Sequence, residues 1–345
     1  MDSHLMPLTN SLATWHWHIE ISSKCTLRCP RCARQEVPNG LVNTELDFDF
    51  FQRNFPPDFI KQHVRKITFC GDDGDPIYAH DLIPVIAYFK SIKSDIEIVI
   101  VTNGSYKSES WWQSLAIQLG PNDSVHFSID GWDNASNNQY RVNSDWNSII
   151  EGVKTLRAHS RCQIIWAAIA FKFNQKYIQR MKAQAFDLGF DRFQLTKSTK
   201  FGSVYPHYGD KDILEPIPDL VSQTHRFERE VYDFTDRKPQ SWPINLERYQ
   251  QSLEINGVKP LCSIGNKGLY ISAQGQLFPC CWVANRYAHN QEWQELGKQF
   301  DLKQRSLESV LQDAFWQSEF QSYRWNECQT KCVAGRVTQE YATEW

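Results

Sequence analysis

Three cysteines lie within eight positions near the start of the chain, in the run Cys25-Thr26-Leu27-Arg28-Cys29-Pro30-Arg31-Cys32. Thiolates suit both iron-sulfur clusters and zinc. Three of them on one short loop can hold three irons of a cubane and leave the fourth iron open to another ligand. A structural zinc site wants a fourth ligand and usually paired C-x2-C elements, neither of which this loop supplies. Five further cysteines, Cys262, Cys280, Cys281, Cys328 and Cys332, gather near the end, so that of ten only Cys70 and Cys162 are isolated. Residues 1–11 carry no basic start followed by an apolar stretch, so the expected compartment is the reducing cytoplasm. There clustered thiols read as metal ligands or catalytic groups rather than disulfides.

Ligands of this kind need a frame that holds them. Between residues 15 and 199 short β-type runs alternate with helical patterns, which argues for repeated β/α units and a parallel sheet. Strands are expected over 16–22, 65–70, 96–102, 124–129, 163–171 and 192–195, several rich in Ile, Val and Phe as strands buried on both faces should be. Helices are expected over 48–53, 82–90, 111–119, 146–157 and 176–188, where apolar residues recur every three or four positions. Asp145 and Asn174 suit N-terminal caps, and Gly189 suits a C-terminal stop. Six strands predict an α/β fold, a partial (β/α)6 TIM-like barrel, over residues 1–200. A Pro-rich connector with some helix around 220–232 follows over 201–260. A small cysteine-rich domain over 261–345 is then expected to carry a β-hairpin with Gly275 in its turn and an amphipathic helix over 307–320.

A C-x3-C-x2-C loop directly after the first strand of a β/α repeat resembles the signature of the radical S-adenosylmethionine superfamily. The resemblance implies that Cys25, Cys29 and Cys32 hold a [4Fe-4S] cluster whose open iron chelates S-adenosylmethionine. Reductive cleavage of that cofactor gives methionine and a 5'-deoxyadenosyl radical. The family often places an aromatic residue before the third cysteine, where this chain has Arg31. Gly71-Asp72-Asp73-Gly74-Asp75-Pro76 is similar to the family's G-G-E-P motif, with Gly74, Asp75 and Pro76 at its last three positions. That motif engages the methionine amino group, and its glycines allow close approach of backbone to ligand. Thr102 and Asn103 after the third strand, and Ser128 and Asp130 after the fourth, resemble positions that contact the cofactor's ribose and carboxylate. Asn174 either adds to that set or is a plain helix cap.

In the C-terminal set, Cys262, Gly265, Tyr270-Ile271, Gly275 and Pro279-Cys280 resemble the start of the SPASM/twitch domain that follows many such barrels. The resemblance implies one auxiliary [4Fe-4S] cluster on Cys262, Cys280, Cys328 and Cys332, because five cysteines are too few for two clusters. Cys281 is either a packed thiol or a replacement for Cys280. A structural zinc site of the ribbon type uses the same spacing and stays open as an alternative. An auxiliary cluster with four protein ligands suits electron transfer, such as taking an electron from a substrate radical.

The implied partners are a peptide or small-molecule substrate and an electron donor such as flavodoxin or ferredoxin. Relatives with this domain act on peptides, protein side chains or small molecules such as aminosugars. A non-catalytic zinc- or cluster-stabilised module is the reading from another class. A net charge of −3 argues against a nucleic-acid partner, and no apolar run is long enough for a membrane helix. His16 and His18 share one face of the first strand and read as packed or solvated residues. Cys70 and Cys162 read as small buried groups, and Tyr205, His207 and Tyr208 as loop residues.

Overall fold

A computed structural model describes residues 15–36, 41–198, 201, 213–222, 228–235, 269–288, 297–321 and 328. The expected β/α alternation is present. β1 (Trp15–Ile19) is followed by the short helices α1 (Ala33–Glu36), α2 (Phe48–Asn54) and α3 (Pro57–His63), then by β2 (Val64–Phe69). The alternation continues through α4 (Leu82–Ile92), β3 (Glu97–Thr102), α5 (Glu109–Ala116), β4 (Ser124–Ser128), α6 (Asn134–Asn137) and α7 (Trp146–His159). It ends with β5 (Gln163–Ile169), α8 (Ile178–Asp187) and β6 (Arg192–Lys197). β7 (Glu228–Asp233), β8 (Tyr270–Ile271) and β9 (Leu277–Phe278) follow, then α9 (Cys281–Ala288), α10 (Leu307–Leu311) and α11 (Ala314–Gln321).

The sheet runs in the order β7-β6-β5-β4-β3-β2-β1-β8-β9, so the first six strands lie in sequential order, as a partial (β/α)6 core requires. β1 pairs parallel with β2, and β4-β5 and β5-β6 are parallel as well. The expected hairpin around Gly275 is present as β8 and β9, and what adds to the expectation is that it joins the sheet and that β7 extends the other edge. β8 joins β1 in parallel through His18↔Tyr270 and Ile19↔Ile271. β9 then turns back antiparallel on β8, with Gly275 at φ +93° in the turn, a conformation that favours glycine. At the other edge β7 pairs antiparallel with β6 from Arg192↔Asp233 to Lys197↔Glu228.

Four expectations need correction. Among the described residues the range 220–232 carries no helix: a 3-10 turn at Pro218–Leu220 and the strand β7 stand there, and residues 223–227 lie outside the described set. Glu228, Arg229 and Glu230 give β7 little apolar face, so its pairing with β6 decides its state. The helix over 307–320 is two helices, interrupted where the Asp313 carboxylate accepts hydrogen bonds from the Phe315 and Trp316 amides and starts α11 afresh. Asn174 does not cap α8, whose N-cap is Tyr177. The Asn174 side chain instead donates to the Asp130 and Ile169 carbonyls and accepts from the Phe171 amide. Strand β5 stops at Ile169, short of the expected residue 171, because that Asn174 network takes over the backbone there. The Asp145 cap and the Gly189 stop, at φ +81°, are as expected.

The chain divides into two compact units, Met1–Lys24, Val37–Val99 and Gln240–Trp345 forming one, Cys25–Glu36 and Ile100–Pro239 the other. In the first, Trp17 packs edge-on against Phe55 with ring centroids 5.1 Å apart, and Phe55 meets Phe89 at 5.5 Å. Asn54, buried at the end of α2, donates to the Leu302 carbonyl and accepts from the Leu307 amide, which ties the C-terminal segment to α2. Lys66 and Glu97 form a nearly buried ion pair at 2.8 Å. In the second unit Trp112, Phe127, Trp166, Phe190 and Phe193 fill the space between the sheet and α5 and α7. Trp112 leaves its ring nitrogen without a partner, the one such buried side-chain atom among the described residues. No helix among the described residues is long and apolar enough to cross a membrane.

Candidate active site

The cysteine loop belongs to the second unit. The Cys32 amide donates to the Cys29 carbonyl at 3.1 Å and the Gln35 amide to the Cys32 carbonyl at 2.9 Å, so the loop curls directly into α1. Its outer side is pinned by Arg28 N to Val142 O at 3.0 Å and by Asn143 Nδ2 to Thr26 O at 2.9 Å. The three thiols share one apolar pocket: Cys29 is buried with Leu27, Tyr140, Phe171, Phe201 and Val221, and Cys25 and Cys32 pack against that group. Such a shell limits water at the sulfurs and lowers the local dielectric, two levers that set a cluster's potential.

Polar groups inside the pocket aim at sulfur. Cys25 Sγ accepts from the Leu27 amide at 3.4 Å and from Asn103 Nδ2 at 3.8 Å. Asn103 is oriented for this by a second bond, its Oδ1 accepting from Ser105 N at 2.9 Å. Burial pushes the Cys29 thiol up, opposed by the charge and a hydrogen bond of Arg141. Arg141 is itself held by Asp130, Nε to Oδ2 at 2.6 Å. Burial alone would lower the Arg141 pKa, but the Asp130 carboxylate overcomes it and leaves it raised. Arg31 is buried, with its guanidinium 5.0 Å above the Phe201 ring, so its charge is met by an aromatic face.

The other sequence-expected positions fall as follows. Asp130 is fully buried, and its second carboxylate oxygen accepts from the Ile169 amide at 2.7 Å. Thr102 is buried, its hydroxyl oxygen accepting from Gly104 N at 3.0 Å in a tight turn where Gly104 has φ +71°. Ser128 is half-buried at the end of β4. Asn103 is therefore the member of this group whose side chain reaches a cysteine sulfur.

Gly71–Pro76 lies in the first unit, directly after β2. Asp75 caps the 3-10 turn Pro76–Tyr78 with its carboxylate, and its amide donates to the carbonyl of Lys24, the residue next to Cys25 in sequence. A Cβ on Gly74 would stand 2.0 Å from the Ser22 carbonyl oxygen, and one on Gly71 would stand 2.4 Å from the Gly74 oxygen. Both positions therefore demand glycine for close backbone packing. The loop rests on Glu20, a residue that sequence reasoning missed. Its Oε1 accepts from the Asp73 and Gly74 amides at 2.7 and 2.9 Å, and its Oε2 accepts from Tyr270 Oη at 2.7 Å. A carboxylate inside the apolar run at the end of β1 was the available signal. Arg141 and Tyr140 carried none.

Cys280 is half-buried, its carbonyl accepting from the Ala284 amide at the start of α9. Cys281 and Cys328 are half-buried too, whereas Cys262 and Cys332 lie outside the described residues. Cys70 and Cys162 are buried, as expected. His18 is buried with Nε2 on the Cys70 carbonyl at 3.1 Å, which puts the proton on Nε2, and His16 Nε2 meets Thr68 Oγ1 at 2.8 Å. Among the described residues no three His, Cys, Asp or Glu side chains are placed to hold a single metal ion. In a cubane each thiolate binds its own iron, so that chemistry asks for three sulfurs on one loop rather than three on one point.

No family model and no curated protein matches the sequence. Solved structures do match the fold. SuiB from Streptococcus suis bound to S-adenosylmethionine aligns with a TM-score of 0.59 at 14% identity, over 92% of this chain and 71% of SuiB. SuiB bound to precursor peptide SuiA aligns at 0.56 and 14% identity, over 93% and 70%. Native anSMEcpe with bound AdoMet and Kp18Cys peptide aligns at 0.51 and 12% identity, over 94% and 92%. The chain thus has the partial-barrel fold of these radical S-adenosylmethionine proteins.

Proposed function

We propose that the chain is a radical S-adenosylmethionine enzyme that modifies a peptide or protein side chain. The observation that carries this is the position of the C-x3-C-x2-C loop: it directly follows β1 of a core whose fold is shared with SuiB and anSMEcpe, both solved with the cofactor bound. Cys25, Cys29 and Cys32 fit a [4Fe-4S] cluster by donor chemistry and by the apolar pocket that buries Cys29 and half-buries the other two. When bound, the cluster and S-adenosylmethionine supply a 5'-deoxyadenosyl radical that takes hydrogen from a substrate carbon.

The chain's own residues bind, orient and exclude water. Leu27 N, Asn103 and Arg141 place hydrogen-bond donors or positive charge at two of the three sulfurs, which favours the reduced cluster. By the motif resemblance Gly74, Asp75 and Pro76 would offer backbone to the methionine amino group, and Thr102, Asn103, Ser128 and Asp130 would contact the cofactor's ribose and carboxylate. Leu27, Tyr140, Phe171 and Phe201 keep water from Cys29 and limit it at Cys25 and Cys32. Cys262, Cys280, Cys328 and Cys332 would hold an auxiliary [4Fe-4S] cluster, which would supply a one-electron acceptor for a net oxidation. A flavodoxin or ferredoxin supplies the reducing electron. The peptide-bound forms of SuiB and anSMEcpe favour a peptide substrate over a small molecule.

Anaerobic reconstitution followed by iron and sulfide analysis and a dithionite-dependent assay for 5'-deoxyadenosine tests this reading. About eight irons per chain with cofactor cleavage support it. Zinc without cleavage supports a non-catalytic module instead. Faster 5'-deoxyadenosine formation with an added peptide than with aminosugars supports the substrate class.

A further inference from the structure

Glu20 is a buried carboxyl, 2% exposed, that the proposed chemistry does not consume. One of its oxygens accepts from two successive loop amides, Asp73 N and Gly74 N, and two adjacent N–H groups on one acceptor fix the curvature of the backbone that carries them. Its other oxygen is taken by Tyr270, 250 positions away. Tyr270 cannot drift. Its strand is bonded to β1 by His18 N to Leu269 O and Glu20 N to Ile271 O, both at 2.9 Å, and its buried ring meets the His18 ring at 4.9 Å. Gly71 and Gly74 are packed so closely against Glu20, Ser22 and Ser23 that the loop has no room to settle elsewhere once these bonds are made.

We propose that Glu20 is a positioning residue for the Gly71–Pro76 loop and that Tyr270 of the C-terminal hairpin locks it, so that docking of the hairpin preorganises the loop that receives S-adenosylmethionine. The last clause rests on the function proposed above. The Glu20 carboxyl is pushed up to about 8 by burial and by the neighbouring Asp73 and Asp72 charges. Near neutrality it is therefore largely uncharged, and a glutamine is its closest mimic, able to accept from both amides and to donate to the Tyr270 oxygen.

The test compares Glu20→Ala, Tyr270→Phe and Glu20→Gln with the wild-type full chain in two arms. In the first, hydrogen exchange is followed by mass spectrometry on the protein without cluster. Glu20→Ala is expected to speed exchange at the Asp73 and Gly74 amides about tenfold, Tyr270→Phe to act in the same direction, and Glu20→Gln to restore protection. In the second arm, on reconstituted protein with unchanged iron content, Glu20→Ala and Tyr270→Phe are expected to raise KM for S-adenosylmethionine rather than lower kcat. Wild-type exchange at Asp73 and Gly74 in both disruptive variants, or exchange accelerated evenly across the whole unit, overturns the proposal. If Glu20→Ala does not fold, Tyr270→Phe against Glu20→Gln decides it. A wild-type protein that binds no S-adenosylmethionine overturns the functional reading alone, because the first arm needs no cofactor.

Discussion

Arg141 Nε and Asp130 Oδ2 stand 2.6 Å apart, with the aspartate fully buried and the guanidinium mostly so. Truncating one partner of such a pair strands the other charge out of water, which costs about 3–5 kcal/mol. Arg141→Ala is expected to lower the urea midpoint accordingly, and the double variant Arg141→Ala, Asp130→Asn to recover part of the loss. Equal midpoints for wild type and Arg141→Ala would show that the pair contributes nothing net.

The glycine at position 74 is a steric requirement, since an added methyl would meet the Ser22 carbonyl at 2.0 Å and the Ser23 backbone at 2.6 Å. Neither neighbour is a flexible side chain. Gly74→Ala should displace the loop and weaken S-adenosylmethionine binding at least about tenfold, equivalent to about 1.4 kcal/mol. Calorimetry on the reconstituted protein reads this directly, and an unchanged affinity would remove the loop from the cofactor site.

Two buried groups set a pH dependence with opposite signs. Burial lowers His18 to about 4, against the opposing hydrogen bond to Cys70, so its contribution is present above the unfolded value of 6.5 and is lost as pH falls toward 4. Glu20 is raised from 4.5 to about 8, so its contribution is present below 4.5 and is lost as pH rises through 8. Between pH 6.5 and 8 only the second effect operates of these two, and the melting temperature should fall across that window. Glu20→Gln should flatten the fall. A slope that survives this substitution would assign the pH dependence to another group.

Replacing any one of Cys25, Cys29 or Cys32 with Ala is expected to abolish 5'-deoxyadenosine formation and to lower bound iron by about four per chain. Cys162→Ala, at a buried thiol that is isolated in sequence from both cysteine sets, should keep the wild-type iron count. Full iron retention in Cys29→Ala would show that the loop is not a cluster site.

The parallel core was legible because β3 and β5 are apolar runs, and the strands are separated by helices with clear three- and four-residue periodicity, a local property. The cysteine loop was legible for the same reason, its ligands being neighbours in sequence. β7 was not: Glu228, Arg229 and Glu230 give no period-two apolar face, and only the partner β6 makes a strand of them. The break between α10 and α11 depends on whether Asp313 bonds backward or forward, a choice made by Trp316 burying against the Leu277 carbonyl. Asn174 suited a cap by type, yet the turn after β5 gave its amide three backbone partners instead. Glu20 with Tyr270, and Arg141 with Asp130, are pairs whose meaning lies in distance through space, and spacing along the chain cannot reveal the first of them at all.

The parallel pairing of β8 with β1 has a consequence during synthesis. Strand β1 leaves the ribosome some 250 residues before the neighbour that covers its outer edge. Until then the nascent chain carries an open row of amides and carbonyls beside a set of thiols, a surface prone to annealing with foreign strands. Cells producing this protein should therefore depend on chaperone occupancy for as long as residues 269–278 remain untranslated.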